Sequence, residues 1–164
     1  MKRAGFRKAA FVLAVLVSSS LAATAQTVID FNSLPKTNRY LPIPYGFGGT
    51  SWGNLNYITT SVNGSLTNVG APAFNSSAQT FSAASPGQSF QLASLMVSEQ
   101  NSVVLTAHGY NQGVHVGSRS YLLSANPTAF TFPSSWGNLT SVTLVCETHF
   151  GNPAQYMLYS VSLR

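Results

Sequence analysis

The sequence predicts an all-β protein, a jelly-roll-like antiparallel β-sandwich forming a single domain behind an N-terminal signal peptide. Three observations carry this expectation. Several segments alternate apolar and polar residues with period two, which places successive side chains on opposite faces of a strand. These segments recur roughly every 8 to 15 residues between Gly, Pro and Asn breakers, the spacing of a sandwich. No stretch combines a helical period with capping residues.

The first 25 residues stand apart from the rest. Lys2, Arg3, Arg7 and Lys8 form a basic start, and Ala9 to Val17 is an apolar run too short to cross a bilayer. Ala23-Thr24-Ala25 is a small-x-small cleavage pattern before Gln26. Together they read as a secretory signal peptide over 1–25, with the folded domain over 26–164. The expected location is secreted, extracellular, or periplasmic in a bacterium. The C-terminus carries no apolar tail, so the protein is expected to be released without a membrane anchor.

Removing that segment changes the charge argument. The whole chain carries 8 Lys+Arg against 3 Asp+Glu, a net +5. Four of the bases lie in the first 25 residues, leaving Lys36, Arg39, Arg119 and Arg164 against Asp30, Glu99 and Glu147, a balance of +1. No basic patch remains to displace counterions from a phosphate backbone, so nucleic acid is excluded as a partner. The remaining residues suffice for one domain with its own core. Few charges beside many Ser, Thr, Asn and aromatic residues suit a β protein with a polar, uncharged surface.

Taken in order, Thr27 to Phe31 is the first predicted strand. Asn32 to Pro44 reads as a long connection broken by Pro35, Pro42 and Pro44. Tyr45 to Asn54 is rich in glycine and aromatics but lacks the strand-to-helix setting of a phosphate-binding loop. Leu55 to Thr60 is a second strand. Ser61 to Gln88 reads as loops with short strands near Leu66 and at Thr80-Phe81. Ser89 to Val97 is a strand leading into a hairpin over Ser102 to Ser124. Ala129 to Phe132, Thr140 to Thr148 and Gln155 to Leu163 complete the strands, with turns at Trp136-Gly137-Asn138 and over His149 to Ala154. Cys146, the one cysteine of the chain, cannot form an intrachain disulfide and should follow Leu144 into the core as a small hydrophobe.

The hairpin admits two registers. A two-residue loop at Asn111-Gln112 sets Ala107 opposite Val116, Gly109 opposite Val114 and His108 opposite His115. A three-residue loop, with Gly113 as a left-handed bulge residue, parts the histidines. The distribution of small apolar groups favours the first, since one slip exchanges the two faces. Facing histidines would supply half of a zinc site, which wants a third or fourth protein ligand; His149 is the remaining histidine. The alternative is two polar residues on the wet face of a sheet.

Ser-Trp-Gly-Asn-Leu occurs at 51–55 and again at 135–139, an echo too short to establish duplication. Ile29-Asp30-Phe31 with Leu34, Pro44 to Phe47, Trp52-Gly53-Asn54, Phe90-Gln91-Leu92, His108-Gly109-Tyr110 and Trp136 to Val142 then form a pattern. It resembles a group of small secreted jelly-roll proteins of bacteria, often with a PEP-CTERM sorting tail, and of fungi. The resemblance implies a carbohydrate-binding-module-like fold. In that group an acid of the first strand, with an Asp-Asn-type pair in the last, can hold a structural calcium. Here the last strand reads Met157-Leu158-Tyr159-Ser160, so Asp30 stands as a lone candidate ligand against the six to eight oxygens that calcium takes, and no metal or other cofactor is expected.

Three function classes follow. The first is a secreted, non-catalytic binding module for carbohydrate or cell-wall polysaccharide. Flat aromatics stack on sugar C–H faces and neutral amides meet hydroxyls, which makes Trp52, Tyr45, Asn54, Tyr110, Trp136 and Asn138, with His108 and His115, the candidate ligand-binding residues. The second is an extracellular structural or protein-interaction protein with no small-molecule ligand. The third is a glycan-active hydrolase, which would need a pair of carboxylates from Asp30, Glu99 and Glu147; no G-x-S-x-G elbow offers a serine route. No catalytic residue is assigned. Asn63, Asn75 and Asn138 head candidate N-glycosylation sequons.

Overall fold

A computed structural model describes residues 25–73, 76, 78–99, 102–146 and 155–164. The signal-peptide reading but for Ala25, the Asn of the sequon at Asn75, the acid Glu147, the ligand candidate His149 and the whole turn read over His149 to Ala154 lie outside the described residues.

The described residues form twelve strands: β1 (Thr27–Asp30), β2 (Leu41–Pro42), β3 (Thr50–Gly53), β4 (Leu55–Val62), β5 (Ser65–Pro72), β6 (Ala78–Ala83), β7 (Leu92–Ser98), β8 (Val104–Asn111), β9 (Val114–Leu122), β10 (Thr128–Thr131), β11 (Ser141–Cys146) and β12 (Met157–Leu163). The helical elements among them are single 3-10 turns, at Phe31–Ser33, Phe47–Gly49 and Ser134–Trp136. The strands make two antiparallel sheets. One runs β10-β7-β12-β5-β4-β2 with β1 also on β12, and the other runs β3-β6-β11-β8-β9. The chain changes sheet at most connections after β5, the jelly-roll manner of wrapping, and an all-β sandwich results.

Alternation builds the core. Leu105, Ala107 and Gly109 of β8 and Val142, Leu144 and Cys146 of β11 face inward from the five-stranded sheet. Leu95 and Val97 of β7, Leu158 and Val161 of β12, and Ile29 meet them from the other. Cys146 lies in the core beside Leu144's row, as the alternation predicts. Tyr156 is buried as well, and its hydroxyl donates to Gln79 Oε1 at 2.9 Å. Burial lifts its phenol well above the ordinary value, and Cys146 adds to the shift.

The short strands expected near Leu66 and at Thr80-Phe81 are present as β5 and β6 and run longer than expected, and β5 pairs back on β4 as a hairpin from Leu55↔Pro72 to Val62↔Ser65. Its turn is Asn63-Gly64, both residues at positive φ (50° and 80°). Asn-Gly is the residue pair that a type I′ turn selects, so the signal was present and outweighed by the polar composition around it. The connection over Asn32 to Pro44 also contains β2, and the glycine-rich stretch contains β3.

The β8–β9 register matches neither predicted alternative. The loop is Gln112-Gly113, both at positive φ (49° and 81°), with Asn111 opposite Val114 and Tyr110 opposite His115. Val116 is then an extra residue on β9, and beyond it Gly109 faces Gly117, His108 faces Ser118 and Val104 faces Leu122. The inner face explains the shift. Trp136, 4% exposed, occupies the space beside this glycine pair: a Cβ on Gly109 would lie 3.3 Å from Trp136 Cε3, and one on Gly117 3.3 Å from its Nε1. The bulge reconciles a two-residue turn at the tip with a glycine pair at the indole.

Candidate functional site

The outward face of the five-stranded sheet is built by the register of its strands. One row crosses it as Ser51, Ser82, Ser141, Tyr110 and His115. The next runs Gly53, Thr80, Thr143, His108 and Ser118. A third runs Ala78, Val145, Thr106 and Ser120, and Val104 with Leu122 closes the far end. These rows contain no charged side chain of Asp, Glu, Lys or Arg. Strand spacing and rise make the face about 20 Å across and about 20 Å along β8.

Two pairs of hydroxyls on this face bond to one another. Thr80 Oγ1 and Thr143 Oγ1 lie 3.2 Å apart, and Thr106 Oγ1 and Ser120 Oγ 2.9 Å apart. Each pair satisfies part of its hydrogen-bonding capacity and keeps lone pairs turned to solvent. At one end the aromatic groups gather. The rings of Tyr110 and His115 meet edge to face at 5.5 Å, and those of His108 and His115 lie 5.9 Å apart. His108 Nδ1 and His115 Nε2 both reach Ser118 Oγ, at 2.7 and 2.8 Å. His115 and Ser118 are three residues apart, an odd spacing that a regular strand sends to opposite faces. The extra residue Val116 returns His115 to the outer face.

The tip is held from below. Gln112 N donates to Thr140 Oγ1 at 2.8 Å, and Thr140 N donates to the Tyr110 carbonyl at 2.8 Å. Tyr110 and His115 are thus fixed by backbone as well as by strand pairing.

The predicted ligand-binding residues divide on this geometry. Tyr110, His108 and His115 lie together on the outer face. Tyr45, 77% exposed, donates its hydroxyl to the Ala84 carbonyl, two residues beyond Ser82 of the first row, near the opposite edge of the face. Trp136 is withdrawn as a sugar platform: it is buried, 4.8 Å from the Phe132 ring and against the hairpin glycines. Trp52 belongs to the inner face of β3, where Phe31 (5.5 Å) and Phe81 (5.3 Å) take its ring and the Phe47 carbonyl accepts from its Nε1. Asn54 and Asn138 both have φ 57° and turn the chain into a buried leucine, Leu55 and Leu139. The repeated Ser-Trp-Gly-Asn-Leu therefore records a shared turn in which tryptophan and leucine go inward.

Asn63 and Asn138 are exposed. In the second sequon Leu139 is fully buried and Thr140 is occupied by the hairpin tip, so an exposed Asn138 coexists with a buried Trp136. Asp30 accepts from Asn32 N at 2.9 Å, capping the 3-10 turn at Phe31–Ser33. Among the described residues no group of three or more His, Cys, Asp or Glu gathers around it or elsewhere. Sequence reasoning missed the hydroxyl rows. Their signal was Ser or Thr at alternate positions, in Thr80-x-Ser82, Ser141-x-Thr143 and Ser118-x-Ser120.

No family model and no curated protein matches the chain. Solved structures of carbohydrate binding modules resemble it at a distance. A mutant of the module CBM29-2 is 14% identical over 85% of this chain and 91% of its own, with a TM-score of 0.48. Another, complexed with mannohexaose, is 14% identical over 84% and 89%, at 0.47. A family 29 module is 15% identical over 84% and 86%, at 0.44.

Proposed function

We propose that the protein is a secreted, non-catalytic module that binds an uncharged polysaccharide on the outer face of its five-stranded sheet. The observation that carries this reading is the face itself: hydroxyl rows with no charge, ended by the Tyr110, His115 and His108 cluster. Rings offer flat apolar surface with a polar edge, and the Ser and Thr hydroxyls both donate and accept, as sugar hydroxyls do. A charged polymer would find no counter-charge in these rows. Two-carboxylate glycoside hydrolysis has no footing there either, since the rows hold neither Asp nor Glu and Asp30 pairs with Ser160 in the other sheet. The basic and apolar N-terminal segment supports export, and the motif resemblance to small secreted jelly-roll proteins supports the same class.

The test is binding of the purified protein to a panel of soluble and insoluble polysaccharides, neutral and acidic, with Tyr110→Ala and Thr143→Val beside wild type. A neutral polymer should be retained by wild type and released by Tyr110→Ala with the fold intact by circular dichroism. Absence of binding across the panel, or binding untouched in both variants, would refute this face as the site.

A further inference from the structure

The two imidazoles of the hairpin converge. His108 Nδ1 and His115 Nε2 aim at one oxygen, Ser118 Oγ, at 2.7 and 2.8 Å. That shared partner limits the separation of the two nitrogens to at most 5.5 Å, the sum of the contacts. A hydroxyl has a single proton, so it can donate to one nitrogen and must accept from the other. The arrangement thus keeps two imidazole nitrogens turned toward one point at the protein surface. His115 is exposed and His108 half-buried, which leaves that point open to solvent.

We propose that His108 and His115 form a two-imidazole site for a divalent first-row transition ion, Cu²⁺ foremost. Imidazole nitrogen suits copper, nickel and zinc, and the Irving–Williams order puts copper first among them. The absence of carboxylates from these rows turns the site away from calcium and magnesium, which take oxygen ligands. Metal–nitrogen bonds of about 2.0–2.1 Å bring the two nitrogens within about 4.2 Å of each other. The rings close that gap by turning away from Ser118, and the exposed ring of His115 has the freedom to do so. Water completes the coordination sphere, so the ion exchanges freely and the fold does not depend on it. The inference rests on the convergence of the two nitrogens and not on the polysaccharide reading.

The experiment is a Cu²⁺ titration of the purified protein, with no polysaccharide present, followed by calorimetry and by electron paramagnetic resonance. Wild type should bind one equivalent with a two-nitrogen signature above the background of the His108→Ala/His115→Ala double variant. Outer-shell partners alone are worth about 10–100-fold in metal affinity, so losing either ligand, in His108→Ala or His115→Ala, should weaken binding by at least about tenfold. Ser118→Ala, which removes the competitor for both nitrogens, should bind at least as tightly as wild type. His149→Ala, which alters the third histidine of the chain, should leave the affinity unchanged. His108→Gln, which keeps a polar contact to Ser118, repeats the test if His108→Ala unfolds. The proposal is overturned if either single variant binds as wild type does, if His149→Ala abolishes binding, or if wild type does not exceed the double variant.

Discussion

A methyl group added at Gly109 should be resisted by the core, whereas the same group added at Gly53 should be accepted. A Cβ at Gly109 would lie 3.1 Å from Leu139 Cδ2 and 3.3 Å from Trp136 Cε3. Leu139 is fully buried and Trp136 nearly so, so neither side chain has room to yield. At Gly53 the nearest atom is the Thr80 carbonyl oxygen at 3.6 Å, an ordinary contact. Both glycines sit in strands, and exchanging either for alanine gains about 0.5–1 kcal/mol of backbone propensity. That gain is common to the two variants. Their difference in stability therefore isolates the overpacking at Gly109, about 1–3 kcal/mol. Urea unfolding followed by tryptophan fluorescence measures it, with equal m-values confirming the same two-state transition. Gly109→Ala should unfold at clearly lower urea than Gly53→Ala, which should unfold at the same or higher urea than wild type. Coincident midpoints for the two variants would refute the fit of Trp136 against the glycine pair.

Trp136→Ala should cost about 3–5 kcal/mol, because it empties a packed site beneath the hairpin; a variant that keeps its melting temperature would contradict the burial described. Tyr156→Phe leaves Gln79 Oε1 without its hydroxyl donor and should cost about 1–3 kcal/mol in chemical unfolding. Since the folded state holds the Tyr156 phenol above its ordinary value of 10.0, the unfolded state loses that proton first. Stability should therefore decline as pH rises above 10, and the decline should be shallower in Tyr156→Phe, as read from urea midpoints at pH 9 and 11. Gly64→Ala meets no atom within 4 Å, yet its φ of 80° should cost about 1–2 kcal/mol by backbone conformation alone. Its melting curve compared with that of Gly53→Ala separates conformation from space.

Much of the architecture was legible because alternation is a local property. Val142-Thr143-Leu144-Val145-Cys146 and the arms of β8 and β9 announce strands by themselves, and Cys146 follows from Leu144. The short strands β2 and β3 were not legible, since the prolines around the one and the glycines around the other read as breakers, and their partners, Tyr57 and Phe81 across the ladder, lie elsewhere in the sequence. The hairpin register failed for a different reason. It depends on Trp136, some twenty residues further along, and no reading of the arms alone contains that contact. The candidate site was half visible. Tyr110, His108 and His115 stood out by type, but an aromatic residue does not declare its face: Trp136 proved to be core, and Trp52 packs half-buried against it. The serines and threonines carried the face, and they drew no notice because each is unremarked alone and acquires meaning from its neighbours in the sheet.

The extra residue at Val116 separates two sources of order within one hairpin. Below it, strand alignment is dictated by an indole and two glycines; above it, by the handedness of a two-residue turn. A sequence change in the tip, from Tyr110 to His115, therefore has no route by which to slide the base of β9 against β8. Such a hairpin can vary its recognition surface while its foundation stays in place. Removing Val116 alone would join the two parts into one continuous ladder that keeps both the two-residue turn and the Gly109–Gly117 pair, and what would be lost is the local bend and added twist of the bulge.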